Sequence, residues 1–439
     1  MVDYNKIVEE LLYLPHPYRS DGDRLYQNDL NSMVKFDEYL GCPSKKLNLI
    51  HVAGTNGKGS CVSFLNSALM GLNYTVGTYQ SPHISDCRER IKINGKVITK
   101  KAVCDFWSVA QGYINGDERA KALNPEWKRP PYSEVYVAMA LYYFAKAKVD
   151  FAIIEVGIGG RLDPTNIIKS PLIAIICSIG LDHTKLLGET EEEIALEKCG
   201  IIKYNSPLVV GSVTESVKNV IKKEAQQHNS PCYFVDEYYN TKIDPKKKIA
   251  HDESYDLKGN YQKMNLETVV TALHLLRMYH PEIIPDNLFN RGLEEALRNT
   301  AKITHFRGRW EVSSYSPYII TDICDNEFGL KLNMEQLLSL REAKGEGKLY
   351  LILGFVSCDY IDAKRVFPKH AEYIFTCSGG TMNAAKLQEK LQIEGKVTSS
   401  VKEAIDYYWT IKEESDLVYI GGSVYLLESV FNALNSCIK

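Results

Sequence analysis

The chain has 439 residues, of which 45% are hydrophobic and 24% are charged, and this composition excludes a disordered, fibrous or disulfide-stapled protein. At roughly 150 residues per domain, the length predicts two or three domains. The formal net charge of −3 creates no overall attraction to nucleic acid or an anionic membrane, so we expect neither as a partner.

The same features favour the cytoplasm. No apolar run approaches the ~18 residues that a membrane-spanning helix needs. The N-terminal stretch MVDYNKIVEELLYL carries acids among its apolar residues, unlike a signal peptide. The 11 cysteines are scattered without a C-x-x-C pair, which disfavours structural zinc and a disulfide framework and fits reduced thiols.

Short apolar runs alternate with helix-like stretches along the first part of the chain. Each run ends in a cluster of Gly, Asp, Ser or Thr, as is typical of buried strands in a doubly wound parallel α/β sheet. Ligands bind such sheets at the carboxyl ends of the strands. The predicted strands are Leu47–Val52, Tyr74–Tyr79, Phe151–Val156, Leu172–Cys177 and Leu208–Val210.

A second series of strands follows the helical stretch Leu266–Met278. It predicts a C-terminal α/β domain of ordinary size, so we divide the chain into residues 1–299 and 300–439. The strands of this second series are predicted at Tyr318–Thr321, Leu349–Leu353, Glu372–Thr376 and Leu417–Ile420.

A glycine-rich segment lies between the first strand and the next helix and reads Ala53-Gly54-Thr55-Asn56-Gly57-Lys58-Gly59-Ser60. Its glycines allow backbone N–H groups to approach phosphate oxygens, the following helix directs its positive end there, and Lys58 adds a charge. The strict G-x-x-x-x-G-K-[ST] motif is not met, because Val52 takes the place of the first Gly. A phosphate loop is predicted, with a simple glycine-rich turn as the alternative.

The dinucleotide motif G-x-G-x-x-G finds no match at its best candidate. Gly157-Ile158-Gly159-Gly160 continues without the third glycine in place. A dinucleotide enzyme is therefore disfavoured.

Three strand ends carry residues suited to a magnesium ion. Glu155 closes a buried strand, where a carboxylate is costly unless a cation neutralises it. Asp182 and His183 follow the next strand, and Ser81 follows another. Mg²⁺ that bridges nucleotide phosphates uses one or two carboxylates, hydroxyls and waters. A turn residue or a core group is the alternative for His183 taken alone.

Together these motifs resemble the folylpolyglutamate synthase and dihydrofolate synthase family of the Mur ligase superfamily, over nearly the whole chain. The matching segments are RSDGDRLYQNDL (19–30), HVAGTNGKGS (51–60), SPHISDCRERIKING (81–95), EVGIGGRLDPTN (155–166), LDHTKLLGETEEEIALEKCGIIK (181–203), GNYQKMN (259–265), RGRWE (307–311) and GGSVYLLE (421–428).

The resemblance implies a P-loop ATPase domain of the Mur-ligase type and a smaller C-terminal Rossmann-like domain, with the active site between them. It implies ATP and Mg²⁺ as cofactors, and dihydropteroate or folate plus L-glutamate as substrates. The family joins them through an acyl phosphate. Monomeric relatives make a monomer the expectation by analogy.

The resemblance also implies roles for individual residues. Ser81, Glu155 and His183 match magnesium ligands, and Lys198 matches a lysine that many relatives carbamylate. Asn265, Arg309 and Asp322 match residues near the nucleotide, together with the loop residues Gly54 to Ser60. The implied catalytic set is Lys58, His183 and Lys198. Arg88 and Arg90 are candidates for holding substrate carboxylates or phosphates, with a surface salt bridge as the alternative.

The C-terminal motifs depart from the family pattern. Asp325 replaces a histidine, Cys358-Asp359-Tyr360 replaces Asp-Lys-Asp, Met382-Asn383 replaces Arg-Ala, and Tyr261 replaces another histidine. Three of these changes remove a positive or donor group from the expected cleft. They leave two alternatives to a working ligase: a weakened or non-catalytic paralogue that keeps nucleotide binding, and a ligase with a different carboxylate acceptor.

Overall fold

The computed structural model describes residues 3–15, 29–244, 248–249, 251–284, 288, 290–345, 347–358 and 361–437. Most of the opening segment 19–30 and the positions Asp359 and Tyr360 therefore lie outside the described residues. Among the residues that are described, no helix is both long and apolar enough to cross a membrane.

In the described part of the chain, eight strands form a first sheet in the order β4-β3-β2-β5-β1-β6-β7-β8. The strands from β2 to β8 in this order pair in parallel, while β3 and β4 are added antiparallel at one edge. Their bounds are β1 Leu49–Ala53, β2 Val76–Tyr79, β3 Ile91–Ile93, β4 Lys96–Val97, β5 Phe151–Glu155, β6 Ile173–Ser178, β7 Leu208–Ser212 and β8 Cys232–Phe234.

A second sheet has six strands within the described residues, in the order β13-β12-β11-β14-β10-β9. All neighbours pair in parallel except β9, which is antiparallel to β10. Their bounds are β9 Glu311–Tyr315, β10 Tyr318–Asp322, β11 Leu349–Leu353, β12 Glu372–Phe375, β13 Lys396–Val397 and β14 Leu417–Gly421.

Helices cover both sheets. They are α1 Tyr4–Leu12, α2 Asn31–Tyr39, α3 Lys58–Gly71, α4 Lys100–Asn115, α5 Glu118–Leu123, α6 Tyr132–Ala147, α7 Thr184–Leu187, α8 Glu191–Cys199, α9 Glu215–Gln227, α10 Val235–Thr241, α11 Gln262–Tyr279, α12 Arg291–Arg298, α13 Thr300–Thr304, α14 Glu327–Lys344, α15 Ala363–Val366, α16 Ala384–Leu391, α17 Val401–Ile411 and α18 Val424–Cys437. Short 3₁₀ helices occur at Pro43–Lys46, Cys87–Arg90 and Pro164–Ile167.

The first sheet is buried on both faces, which explains its continuous apolar strands. In β5, Phe151 and Ile153 pack into one core with α3 and α11, while Ala152 and Ile154 pack into another with α4 and α6. This confirms the predicted doubly wound α/β fold. The second sheet has its own two cores, as a second domain requires.

The chain passes from one sheet to the other between α13 and β9. The helix α13 still packs on the first unit, where the hydroxyl groups of Thr300 and Ser67 are hydrogen bonded at 2.7 Å. Lys92 donates to the carbonyl of Thr304 at 2.9 Å. The described contacts thus associate residues 300–304 with the first sheet, and the division at Thr300 stays a prediction.

Candidate functional site

A cavity of about 870 Å³ lies between the two sheets, at the carboxyl ends of their central strands. The first sheet contributes the loops after β1, β2, β5 and β6, and the second contributes the loops after β10, β11 and β14. The glycine-rich loop from Thr55 to Ser60 lies along its wall.

The glycine-rich loop has the backbone of a phosphate-binding turn. Gly57 adopts φ +86°, and a side chain there would place its Cβ 2.3 Å from Oδ1 of Asn265. The amide of Thr55 donates to the Ser178 carbonyl at 2.7 Å, which fixes the loop to the end of β6. The conformation therefore requires glycine at position 57 and keeps Asn265 beside the loop.

Two lysine side chains donate to the same carbonyl of the loop. Lys58 donates from Nζ to the carbonyls of Gly54 and Thr55, at 2.8 and 2.9 Å. Lys198, only 4% exposed, donates to the same Gly54 carbonyl at 3.0 Å. Burial, and next the charge of Lys58, lower the pKa of Lys198 to about 7. Lys198 is therefore available as a neutral amine near physiological pH.

Glu155 lines the cavity, and one oxygen of its carboxylate is unsatisfied. Its side chain is 3% exposed, and Oε2 is buried with no hydrogen-bond partner. Burial raises the pKa of Glu155 to about 7 despite the nearby charges of Lys58 and Arg309. A carboxylate oxygen left in this state fits a divalent cation, which would supply the missing partner.

The other predicted metal ligands, Ser81 and His183, line the same cavity as Glu155. His183 begins α7 with φ +49°, and 47% of its side chain is exposed to the cleft. Desolvation lowers the pKa of His183, the charge of Asp182 opposes this, and the charges of Lys58 and Lys198 add to the lowering, so the neutral ring that can ligate a metal is favoured.

No cluster of three or more His, Cys, Asp or Glu side chains in the described residues could hold a metal alone. An ion at Glu155 therefore needs hydroxyl, water or phosphate oxygens to complete its coordination.

Asp163 organises the loop after β5, a role that the sequence analysis did not assign. Its carboxylate accepts hydrogen bonds from the amides of Gly157 and Ile158, at 3.0 and 3.2 Å, and from Thr165. It also caps the 3₁₀ helix that begins at Pro164. The Asp-Pro pair after a glycine-rich turn is a recognised signal for such a cap.

The structure separates the two arginine candidates. Nη2 of Arg88 lies 2.6 Å from Oδ2 of Asp86, so Arg88 forms the salt bridge that was the alternative to ligand binding. Arg90 lines the cavity, donates from Nε to His83 at 2.8 Å, and lies over the rings of Tyr132 and Tyr136. Only Arg90 is thus placed to meet a ligand in the cavity.

The second sheet contributes Asp322, whose carboxylate already accepts hydrogen bonds from other residues of the protein. Asp322 accepts from the amides of Trp310 and Cys324, at 2.7 and 2.8 Å, and from the Tyr261 hydroxyl at 2.8 Å. Tyr261, which replaces the family histidine, therefore donates to Asp322 across the interdomain cleft. Asp322 holds the turn after β10, and its contact with a nucleotide stays a prediction.

Asp325, the other replacement, faces the cavity from the C-terminal side. Desolvation raises the pKa of Asp325 to about 6, and the charge of Asp182 on the opposite wall adds to the effect, while Arg309 opposes it. The substitution thus sets two acidic groups facing each other across the cleft.

The predicted site residues lie together around this cavity. Those that line it are Thr55, Asn56, Gly57, Lys58, Gly59, Ser60, Ser81, Glu155, His183, Asn265, Arg309 and Asp322. Gly54 and Lys198 are not among the lining residues, but Lys198 is joined to the loop by its hydrogen bond to the Gly54 carbonyl.

Comparison with known proteins places the chain among folate enzymes. It is 35% identical over 315 residues to the dihydrofolate synthase/folylpolyglutamate synthase of Bacillus subtilis, covering 69% of this chain and 70% of that protein. It is 31% identical over 369 residues to the Buchnera aphidicola protein of that name, covering 80% and 79%.

Among solved structures, E. coli FolC in complex with DHPP and ADP superposes with a TM-score of 0.79 at 24% identity. The match covers 100% of this chain and 99% of that one, and it agrees with the two-domain fold. No family model matches the chain.

Proposed function

Because the chain belongs to the dihydrofolate synthase/folylpolyglutamate synthase family, we propose that it uses ATP to join L-glutamate to a carboxyl group of dihydropteroate or a reduced folate. One observation carries the proposal. The glycine-rich loop, the unsatisfied carboxylate of Glu155 and the guanidinium of Arg90 face one cavity between the two domains.

The residues around Glu155 fit a magnesium ion. Glu155, Ser81 and His183 would hold it, and the bound ion would neutralise charge on the phosphates during transfer. Lys58, which lines the cavity, has two of its three N–H groups on loop carbonyls, so a third remains to donate to a phosphate oxygen. The amides of the loop and the N-terminus of α3 bind the remaining phosphate oxygens.

The reaction needs an activated acyl group, because a carboxylate is a poor electrophile. The acceptor carboxylate attacks the γ-phosphorus of the substrate ATP, and ADP leaves. The glutamate amine then attacks the acyl carbon, phosphate leaves, and the amine proton passes to solvent. The two domains enclose this intermediate and limit its hydrolysis by water.

Arg90 is the residue we assign to an anionic group of the acceptor or of glutamate. It is 8% exposed and donates from Nε to His83, and its guanidinium can form a charge-assisted hydrogen bond with an anion in the cavity. The rings of Tyr79 and Tyr132 line the cavity beside Arg90 and offer an apolar surface for a flat heterocycle.

Lys198 is proposed to react with CO₂. A neutral amine attacks the carbon of CO₂ and loses a proton, which yields a carbamate. The product is a buried anion near Lys58, whose charge would stabilise it. We further propose that the protein is a cytoplasmic monomer with the domain division given above.

The test is phosphate release from Mg-ATP with L-glutamate, measured with dihydropteroate, with tetrahydrofolate and with no acceptor. Release that requires both the acceptor and glutamate establishes the ligase and identifies its substrate. Nucleotide binding with no acceptor-dependent release would refute the proposal and favour a paralogue that kept only the phosphate loop.

A further inference from the structure

Two asparagine side chains connect the phosphate loop to the C-terminal domain. Nδ2 of Asn56 donates to Oδ1 of Asn326 at 2.9 Å, and Nδ2 of Asn326 donates back to Oδ1 of Asn56 at 2.9 Å. Asn56 lies in the loop after β1, and Asn326 lies 270 residues further along the chain, immediately before α14. The pair therefore forms a direct two-bond link between the domains.

The surroundings fix the orientation of both amides. Oδ1 of Asn326 also accepts from the amide of Gly329 at 3.0 Å, as the N-cap of α14, so its Nδ2 must face Asn56. The backbone of Asn56 is held in turn by Ser178, whose hydroxyl accepts from the Asn56 amide and donates to its carbonyl. Each partner is thus attached to the rigid framework of its own domain.

Close packing surrounds the pair. A Cβ at Gly329 would lie 3.1 Å from Nδ2 of Asn56, and a Cβ at Gly180 would lie 3.3 Å from the ring of Phe328. Asn326 is 8% exposed, so water competes little for its amide. Losing one partner would leave a donor and an acceptor poorly satisfied, which makes the pair sensitive to substitution.

We propose that Asn326 is a positioning residue: through Asn56 it holds the C-terminal wall of the cleft against the phosphate loop, so that nucleotide binding depends on domain closure. Without the pair, the domains would spend more time apart, and a nucleotide would find the complete cleft in a smaller fraction of molecules. The inference rests on the proposed nucleotide site and goes beyond it, because it assigns a role to a residue that need not touch the ligand.

The first variant is Asn326→Ser. Serine still caps α14 but is too short to reach Asn56, so only the interdomain pair is lost. The matched control is Asn383→Ser, since Asn383 caps α16 in the same domain by accepting from the amides of Ala385 and Lys386, away from the cavity.

Binding of ADP is measured by calorimetry, and the radius of gyration without ligand by small-angle scattering. Asn326→Ser is expected to weaken ADP binding about tenfold, as two neutral hydrogen bonds imply, and to increase the radius of gyration. Asn383→Ser should change neither. Asn56→Ser combined with Asn326→Ser should bind ADP no more weakly than Asn56→Ser alone, because the pair is already broken.

The proposal would be overturned if Asn326→Ser bound ADP as tightly as the wild type, or if Asn326→Ser and Asn383→Ser lost the same amount of ADP affinity. If Asn326→Ser does not fold, Asn326→Asp retains the size and the cap but sets oxygen against oxygen, and the same losses are expected. Failure of the wild-type chain to bind ADP would refute the proposed nucleotide site, while the scattering comparison would still decide whether the pair holds the domains together.

Discussion

At the end of β5, Glu155 keeps a carboxylate oxygen buried without a partner, which makes the residue costly for the metal-free fold. Its pKa is raised from 4.5 to about 7, so the folded state favours the protonated form. Well below pH 4.5 the carboxyl is protonated in both the folded and the unfolded state, so its ionisation does not change the free energy of unfolding. The penalty grows as the pH rises from 4.5 to 7 and is then constant, at about 3 kcal/mol.

We therefore expect Glu155→Gln, freed of metal with EDTA, to be more stable than the wild type at pH 8 and equally stable at pH 4.5. Urea denaturation at the two pH values measures this difference. The same variant should lose ligase activity, because an amide is a poor magnesium ligand. A variant less stable than the wild type at pH 8 would show that the carboxylate has a partner in the metal-free protein.

Lys198 allows a second prediction for a single side chain. Its pKa of about 7 leaves a neutral amine near physiological pH, and we expect a carbamate that increases in population from pH 6 to pH 8. A ¹³C NMR signal from protein equilibrated with ¹³C-bicarbonate measures it. The signal should vanish in Lys198→Arg and persist in the control Lys203→Arg, because Lys203 also has a lowered pKa, of about 8, but is only half-buried and donates to Asn166. A signal that survives Lys198→Arg would contradict the assignment.

The element formed by β1, the glycine-rich loop and α3 depends on the backbone of Gly57. Gly57→Ala adds a Cβ 2.3 Å from the Asn265 oxygen at φ +86°, so we expect loss of ADP binding together with about 1–2 kcal/mol of stability. Gly345→Ala is the control, because Gly345 also has a positive φ of +73° but has no atom within 4 Å of its Cβ position. It should lose about 1 kcal/mol and keep full ADP affinity. Calorimetry and thermal denaturation separate the two effects, and equal ADP affinities would contradict the prediction.

The strands that the sequence predicts correctly are buried on both faces. Leu349–Leu353 matches β11 to the residue, and Phe151–Val156 differs from β5 by one position. The short strands β4, β8, β9 and β13 at the sheet edges, and β3 next to an edge, escaped prediction because two to five residues give no clear apolar run. Residues at neighbouring strand ends could be grouped into one site, since parallel strands end at the same edge of a sheet.

The contacts between the domains could not be predicted from local pattern. Asn56 and Asn326 each belong to a recognisable segment, but their pairing depends on how two separate sheets are oriented. The same holds for Tyr261, which stands where the family has a histidine and whose hydroxyl donates to Asp322. A substitution at a domain interface therefore has to be judged by what faces it from the other domain.

At the scale of the whole molecule, Asp325 is a substitution whose effect depends on the residue that faces it from the other domain. It stands on the C-terminal wall opposite Asp182, and desolvation together with that acid raises its pKa to about 6. At pH 7.5 the Asp325 carboxylate is ionised and opposes closure over an anionic nucleotide, whereas below pH 6 Asp325 is mostly neutral. An asparagine side chain mimics the neutral form, so we expect Asp325→Asn to lower the KM for ATP a few-fold at pH 7.5 and to match the wild type at pH 5.5. Steady-state phosphate release at the two pH values gives the ratio of the two KM values for ATP, wild type to variant. The ionisation of ATP itself is the same for both proteins, so it cancels in this ratio. If the ratio of the two KM values were the same at both pH values, ionisation of Asp325 would not control the approach of the two domains.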